Sequence, residues 1–123
     1  LEDLEAGRRF EDAVTSCAFG VDIHEPAPGA GVPSGHGAKM RPYEIPYRCL
    51  VPRGVAGLLV AGRCISGTHE AHASYRVTGT CMGMGQAAGL AAALAAREGC
   101  PPSDLDGREV RRMLKERGVE FLG

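Results

Sequence analysis

His69, Glu70, His72, Ser74, Tyr75 and Arg76 place six polar or ionisable side chains in eight consecutive positions. Imidazoles exchange protons near neutral pH, and a guanidinium clamps carboxylates and phosphates through its planar fork of donors. The segment therefore has the residue types for proton transfer to an anchored anion. It also fits a plain solvated surface loop, and its composition does not separate the two. His69-Glu70-Ala71-His72 is H-x-x-H rather than H-E-x-x-H, so Glu70 is not spaced to activate a metal-bound water. No metal site is expected. A few residues on, Cys81 stands where a helix dipole could lower a thiol pKa. With no C-x-x-C pair anywhere, it also reads as a small packed residue.

The elements that must position these groups lie on either side. Leu58, Leu59, Val60 and Ala61 form a short apolar run between glycines, which predicts a strand buried on both faces. It ends in the Gly62-Arg63 turn. Residues 81–96 contain no proline and are dominated by alanine, which predicts a helix. Thr78 and Thr80 are its candidate N-caps. A helix N-terminus leaves backbone N–H groups unpaired and carries partial positive charge, a natural seat for electron-rich oxygen. Gly83, Gly85 and Gly89 each cost the helix about 1 kcal/mol against alanine, so a close neighbour is expected, either a packed element or a ligand. Loops beyond strand ends hold ligands in open α/β sheets, and the group from His69 to Arg76 is read as such a loop. Gly83-Met84-Gly85-Gln86-Ala87-Ala88 fits G-x-G-x-x-A. It does not follow directly on a strand and has no acidic residue on a next strand, so it is rejected as a nucleotide-binding fingerprint.

Elsewhere, Leu1, Leu4, Phe10, Ala13 and Val14 suggest a helix end over residues 1–14, weakened by Gly7. Residues 21–24 alternate apolar and polar, and so do residues 43–52, where Pro46 restricts the strand to an edge or a start. These two are expected to pair as an antiparallel ribbon around a long Pro- and Gly-rich loop at 25–42, in which His36 is read as exposed. Gly99-Cys100-Pro101-Pro102 stops the small-residue helix. Asp106 then caps a last helix with Val110, Met113 and Leu114 on its apolar face. Arg108, Arg111, Arg112, Lys115 and Arg117 form a solvated face, and Gly118 is the C′ residue.

Composition bounds the function. The chain has 123 residues, enough for one core. Fourteen basic and fifteen acidic residues give a net charge of −1, and three Tyr, three Phe and no Trp offer little stacking surface. No nucleic-acid partner is implied. No apolar run reaches the ~18 residues that mark a membrane span, so no membrane partner is expected. Five widely spaced cysteines are not a disulfide framework and point to a reducing, cytoplasmic setting. The chain opens Leu-Glu-Asp with neither Met nor a signal pattern, as expected of a piece of a longer protein.

Taken in order, DLEAGRRFEDAV, VDIHEP, YEIPYRCLVPRG, LLVAGRCISGTHEA, SYRVTGTCMGMGQAAGLAAALA and PPSDLDGREVRRML resemble the C-terminal part of bacterial FAD-dependent oxidoreductases. These are distant relatives of fumarate reductase and other glutathione-reductase-type flavoproteins. The resemblance covers nearly the whole chain and is most specific over residues 43–96. It implies an α/β fold of mixed α and β: the C-terminal portion of an FAD-binding Rossmann-like domain at 55–123, with a small antiparallel ribbon from the substrate-side region within 1–54. It implies that FAD is bound in the full-length protein, with Gly62 and Arg63 beside its ribityl or pyrophosphate part. The helix start would face the isoalloxazine ring, through Thr80, Cys81, Met82, Gly83 and Gly85. His69 and Arg76 would be the substrate-side candidates, as proton donor or anion clamp. Many relatives carry an acidic residue where this chain has Arg63, and the G-x-G-x-x-G fingerprint itself is missing here. The fragment alone is thus expected to be inactive, to need the N-terminal part of the same protein as its partner, and to self-associate through uncovered apolar faces. The complete enzyme would act on a small-molecule substrate. Two other classes remain: a non-catalytic interaction domain packing through its small-residue helix, and a thiol- or metal-dependent hydrolase built on Cys81 or on His69 and His72.

Overall fold

The computed structural model describes residues 1–23 and 40–122. His24, His36 and most of the 25–42 segment lie outside these residues. Among the described residues, four α-helices and one two-stranded antiparallel sheet make a mixed α and β fold. The first helix, α1, covers Glu2–Glu5 alone. It ends at Gly7, whose φ of +63° suits glycine and whose missing side chain makes room for Arg41. The helix expected over residues 1–14 is therefore one turn, and Ala13–Cys17 is instead a strand, β1. The apolar spacing at Leu1 and Leu4 is helical, but Val14-Thr15 carries β-branched side chains that favour a pleated surface.

β1 pairs with β2, Tyr43–Pro46, in the register Cys17↔Tyr43, Ser16↔Glu44 and Thr15↔Ile45, with an irregularity between Ala13 and Thr15. The ribbon expected between residues 21–24 and 43–52 is corrected on both sides. Val21 and Ile23 are buried in a small second cluster with Ala73 rather than in the sheet. Pro46 closes β2, and residues Tyr47–Leu50 turn into a 3-10 helix, because proline cannot extend the ladder of donors.

Residues 58–61 are not a strand. Val60 donates its N–H to the Leu50 carbonyl at 2.8 Å, and Leu59, Val60 and Ala61 lean on the core. An interior parallel strand needs a hydrogen-bonded neighbour on each side, and the described residues offer only the β1–β2 pair. Two further helices follow, α2 over His69–Tyr75 and α3 over Thr78–Glu98. α3 buries Thr80, Met84, Ala87, Ala91 and Leu94, one stripe at helical spacing. The side bearing Met82, Gly85, Gln86 and Gly89 is exposed. Gly99, at φ +67°, ends α3 in the left-handed region.

The last helix, α4, covers Gly107–Glu116. As read from the sequence, Asp106 caps it, accepting from the Arg108 N–H at 2.9 Å, and hydrogen bonds from Arg108 hold the Asp106 carboxyl below its ordinary range. Gly118, at φ +83°, follows its end and donates to the Lys115 carbonyl at 2.9 Å. Val110 and Leu114 enter the core beside Val14, Tyr43, Ile45 and Leu50. α3 and α4 both pack on β1. Tyr47 ties the 3-10 turn to the segment before α4 by donating to the Pro102 carbonyl at 2.7 Å, and burial pushes its hydroxyl up to about 12. One arginine departs from the solvated face: Arg111 reaches the buried Glu44 carboxylate, at 3.2 Å from Oε2.

Candidate functional site

The segment expected to be a crest loop is the helix α2. Thr68 is its N-cap, accepting from the Ala71 N–H at 3.3 Å, and Glu70 in the first turn complements the helix dipole. A threonine followed by helix-favouring Glu and Ala was the available sequence signal. Helical spacing sends the side chains to different places. His69, His72, Ala73 and Arg76 line one cleft of about 160 Å³ together with Asp22 and Ile23. Ser74 turns inward, where its hydroxyl donates to the Phe19 carbonyl and accepts from the Tyr43 hydroxyl at 2.8 Å. Burial raises the Tyr43 pKa far above the tyrosine range, so this hydroxyl stays protonated and works as a donor.

The cleft continues toward α3. Arg63, Arg76, Val77 and Thr78 line an adjoining hollow of about 350 Å³, which shares Asp22, Ala73 and Arg76 with the first. Arg76 Nη2 donates to the Asp22 carbonyl at 3.0 Å, which fixes the guanidinium across both. His72 Nε2 lies 3.3 Å from the Arg63 carbonyl, and since a carbonyl only accepts, that nitrogen carries the hydrogen. The imidazole meets the Tyr75 ring edge-on, with centroids 5.2 Å apart. His69 and Arg76, which the sequence separates by two helical turns, thus share one cleft. Among the described residues, two arginines against one aspartate leave this lining with a positive balance suited to an anion.

At its far wall stands the start of α3. Thr78 is the first helical residue and Thr80 the third, so neither is the N-cap. The cap position is Val77, whose side chain accepts nothing. The first intrahelical bond runs from the Cys81 N–H to the Val77 carbonyl at 3.0 Å, so the N–H groups of Thr78, Gly79 and Thr80 have no partner within the helix. The Gly62–Cys64 turn packs against this end. Gly62 has φ +66°, and a Cβ built there would lie 3.4 Å from Cys81 Cβ. A larger residue would be strained in that conformation. The Cys81 thiol donates to the Arg76 carbonyl at 3.4 Å, closing the corner between α2 and α3.

The remaining expected cofactor residues fall in different settings. Arg63 is exposed, Met82 is 70% exposed, and Gly85 has open space where a Cβ would stand. The Thr80 side chain is buried. Gly83 faces β1, where a Cβ would come within 2.3 Å of Thr15 Oγ1. Its glycine is therefore required by packing. Among the described residues no three His, Cys, Asp or Glu side chains gather as a metal site. No helix among them is long and apolar enough to cross a membrane.

A family model described as FAD dependent oxidoreductase matches residues 1–114, and the chain belongs to that family. Its members use FAD in oxidation and reduction. No curated protein and no solved structure matches this chain. The donor set fits a flavin: three unpaired backbone N–H groups at an uncapped helix start can face the electron-rich pyrimidine edge of the ring. Gly62, held at positive φ, keeps side-chain bulk away from the same end.

Proposed function

We propose that this chain is the C-terminal part of an FAD-dependent oxidoreductase of the glutathione-reductase-type, fumarate-reductase-like superfamily. The complete enzyme passes a hydride or electron pair between a small molecule and FAD. The observation that carries this is the corner itself: an uncapped helix start, the Gly62 turn and a cationic cleft meet at one place. Residues 55–123 would return to the Rossmann-like FAD-binding domain, and residues 1–54 would belong to the substrate-side region. The flavin supplies the two-electron chemistry when bound. Gly62, Arg63, Cys81, Met82 and the backbone of Thr78 to Thr80 form its side of the site, while Gly83 and the Thr80 side chain hold α3 in place and Gly85 leaves its outer side clear. Arg76 anchors an anionic group of the substrate, and His69 on the same cleft wall holds or delivers a proton. The N-terminal part of the protein supplies the dinucleotide fingerprint, so the 123 residues alone are inactive.

The test is the colour of the full-length gene product purified without added cofactor. A flavin absorption band that bleaches with dithionite is the expected result. A colourless protein that also refuses added FAD overturns the reading. The exposed side of α3, with Met82, Gly85 and Gly89, then favours an interaction module instead. In either case the isolated chain leaves that side uncovered, and self-association is expected. Sedimentation velocity should show species larger than the 12.9 kDa monomer, and a clean monomer at high concentration argues against it.

A further inference from the structure

The opposite side of α2 holds a second feature, which does not depend on the flavin reading. Tyr75 is 5% exposed, and its hydroxyl makes no hydrogen bond to the described residues, the one buried side-chain oxygen or nitrogen among them in that condition. Buried polar atoms are nearly always paired, and an unpaired one calls for a reason. The hydroxyl abuts the backbone at Gly67, where a Cβ would stand 2.2 Å from Tyr75 Oη. Tyr75 and Gly67 both line a cavity of about 240 Å³ whose walls include Leu4, Phe10, Ile45 and Ala71. Burial raises the tyrosine pKa, so the group is a donor in want of an acceptor.

The charges around the cavity are already spent. Asp3 pairs with Arg8, Arg48 with Asp12 at 2.7 Å, and Glu44 with Arg111 at 3.2 Å. A charged ligand would find no free counter-charge among them. An apolar cavity of about 150 Å³ accepts benzene, so this volume admits one ring with a short polar arm. We propose that the cavity is a binding site for a small neutral molecule, one apolar ring bearing a carbonyl oxygen that accepts from the Tyr75 hydroxyl. It differs from the His69–Arg76 cleft in lining, charge and side of α2.

Acetophenone and ethylbenzene, nearly equal in size and differing in the carbonyl, are the probes. Titrated calorimetrically into the full-length gene product, acetophenone should bind about fivefold tighter, the factor expected for one net hydrogen bond. Tyr75→Phe, which removes a single oxygen, should bring the two affinities together without weakening ethylbenzene. Ala71→Leu, which narrows the cavity, should weaken both. Equal affinities in the wild type, a preference that survives Tyr75→Phe, or no saturable binding of either probe would each overturn the proposal. The last outcome would mean that the cavity serves water only.

Discussion

Replacing Arg111 with methionine is expected to cost about 3–5 kcal/mol of stability, because it strands a buried carboxylate. Glu44 is 3% exposed, and the Arg111 side chain only 17%. The carboxylate accepts from the Phe10 N–H at 2.9 Å and from both Arg111 terminal nitrogens, at 3.2 and 3.3 Å. Arg111 Nη1 also donates to the Phe10 carbonyl, and the guanidinium lies over the Phe121 ring at 4.5 Å. One side chain therefore joins α4 to β2, to the segment before β1 and to the C-terminal tail. Lysine should not rescue it, since an ammonium cannot make the two-pronged contact. Adding Glu44→Gln to Arg111→Met should recover part of the loss, because a neutral amide oxygen still accepts from Phe10 without a stranded charge. Urea unfolding of the three variants reads all of this. A loss below about 1 kcal/mol for Arg111→Met would place the pair with ordinary surface ion pairs.

The second large effect is expected at Gly83. A valine there would drive its Cβ to within 2.3 Å of Thr15 Oγ1 and 3.0 Å of Thr15 Cβ. Overpacking of this kind costs roughly 1–3 kcal/mol, and the branched side chain adds helix strain. Gly89 provides the contrast, with open space where a Cβ would stand. Gly89→Ala should gain up to about 1 kcal/mol from helix propensity alone. Opposite signs from two glycines six residues apart on one helix would separate packing from propensity. Two changes of the same sign would remove the Thr15 contact as the explanation. The effect should reach the site, because α3 cannot back away from β1 without moving its first turn against Gly62. Under the proposed function, Gly83→Val in the full-length protein should also retain less flavin.

Local chemistry made part of this legible. The cap at Asp106, the glycine at 118 and the helical spacing of apolar residues along α4 act within a turn or two of chain, and the structure keeps them. α3 runs as the alanine-rich composition predicts, three residues longer at its start, and Gly99 ends it. Residues 43–46 are a strand, broken where Pro46 removes a donor. The family followed from the order of whole motifs, and residues 1–114 match it.

What needed the folded chain were the pairings between distant segments. β1 looked like the end of a helix because strand formation depends on a partner about thirty residues away. Residues 58–61 have the composition of an interior strand, but among the described residues they find no strand to pair with and hold to Leu50 through the Val60 N–H. α2 has seven residues, too few for periodicity to declare it, so the sequence could not show that His69 and Arg76 face one cleft and Tyr75 another. Arg111 sits in a run of charges that reads as solvated. Only the approach of β2 supplies the buried carboxylate that turns it inward. Sequence alone determined the elements whose stabilising contacts are local and the family to which their order belongs. Tertiary structure decided which side chains meet, because desolvation and close packing depend on groups far apart in the chain.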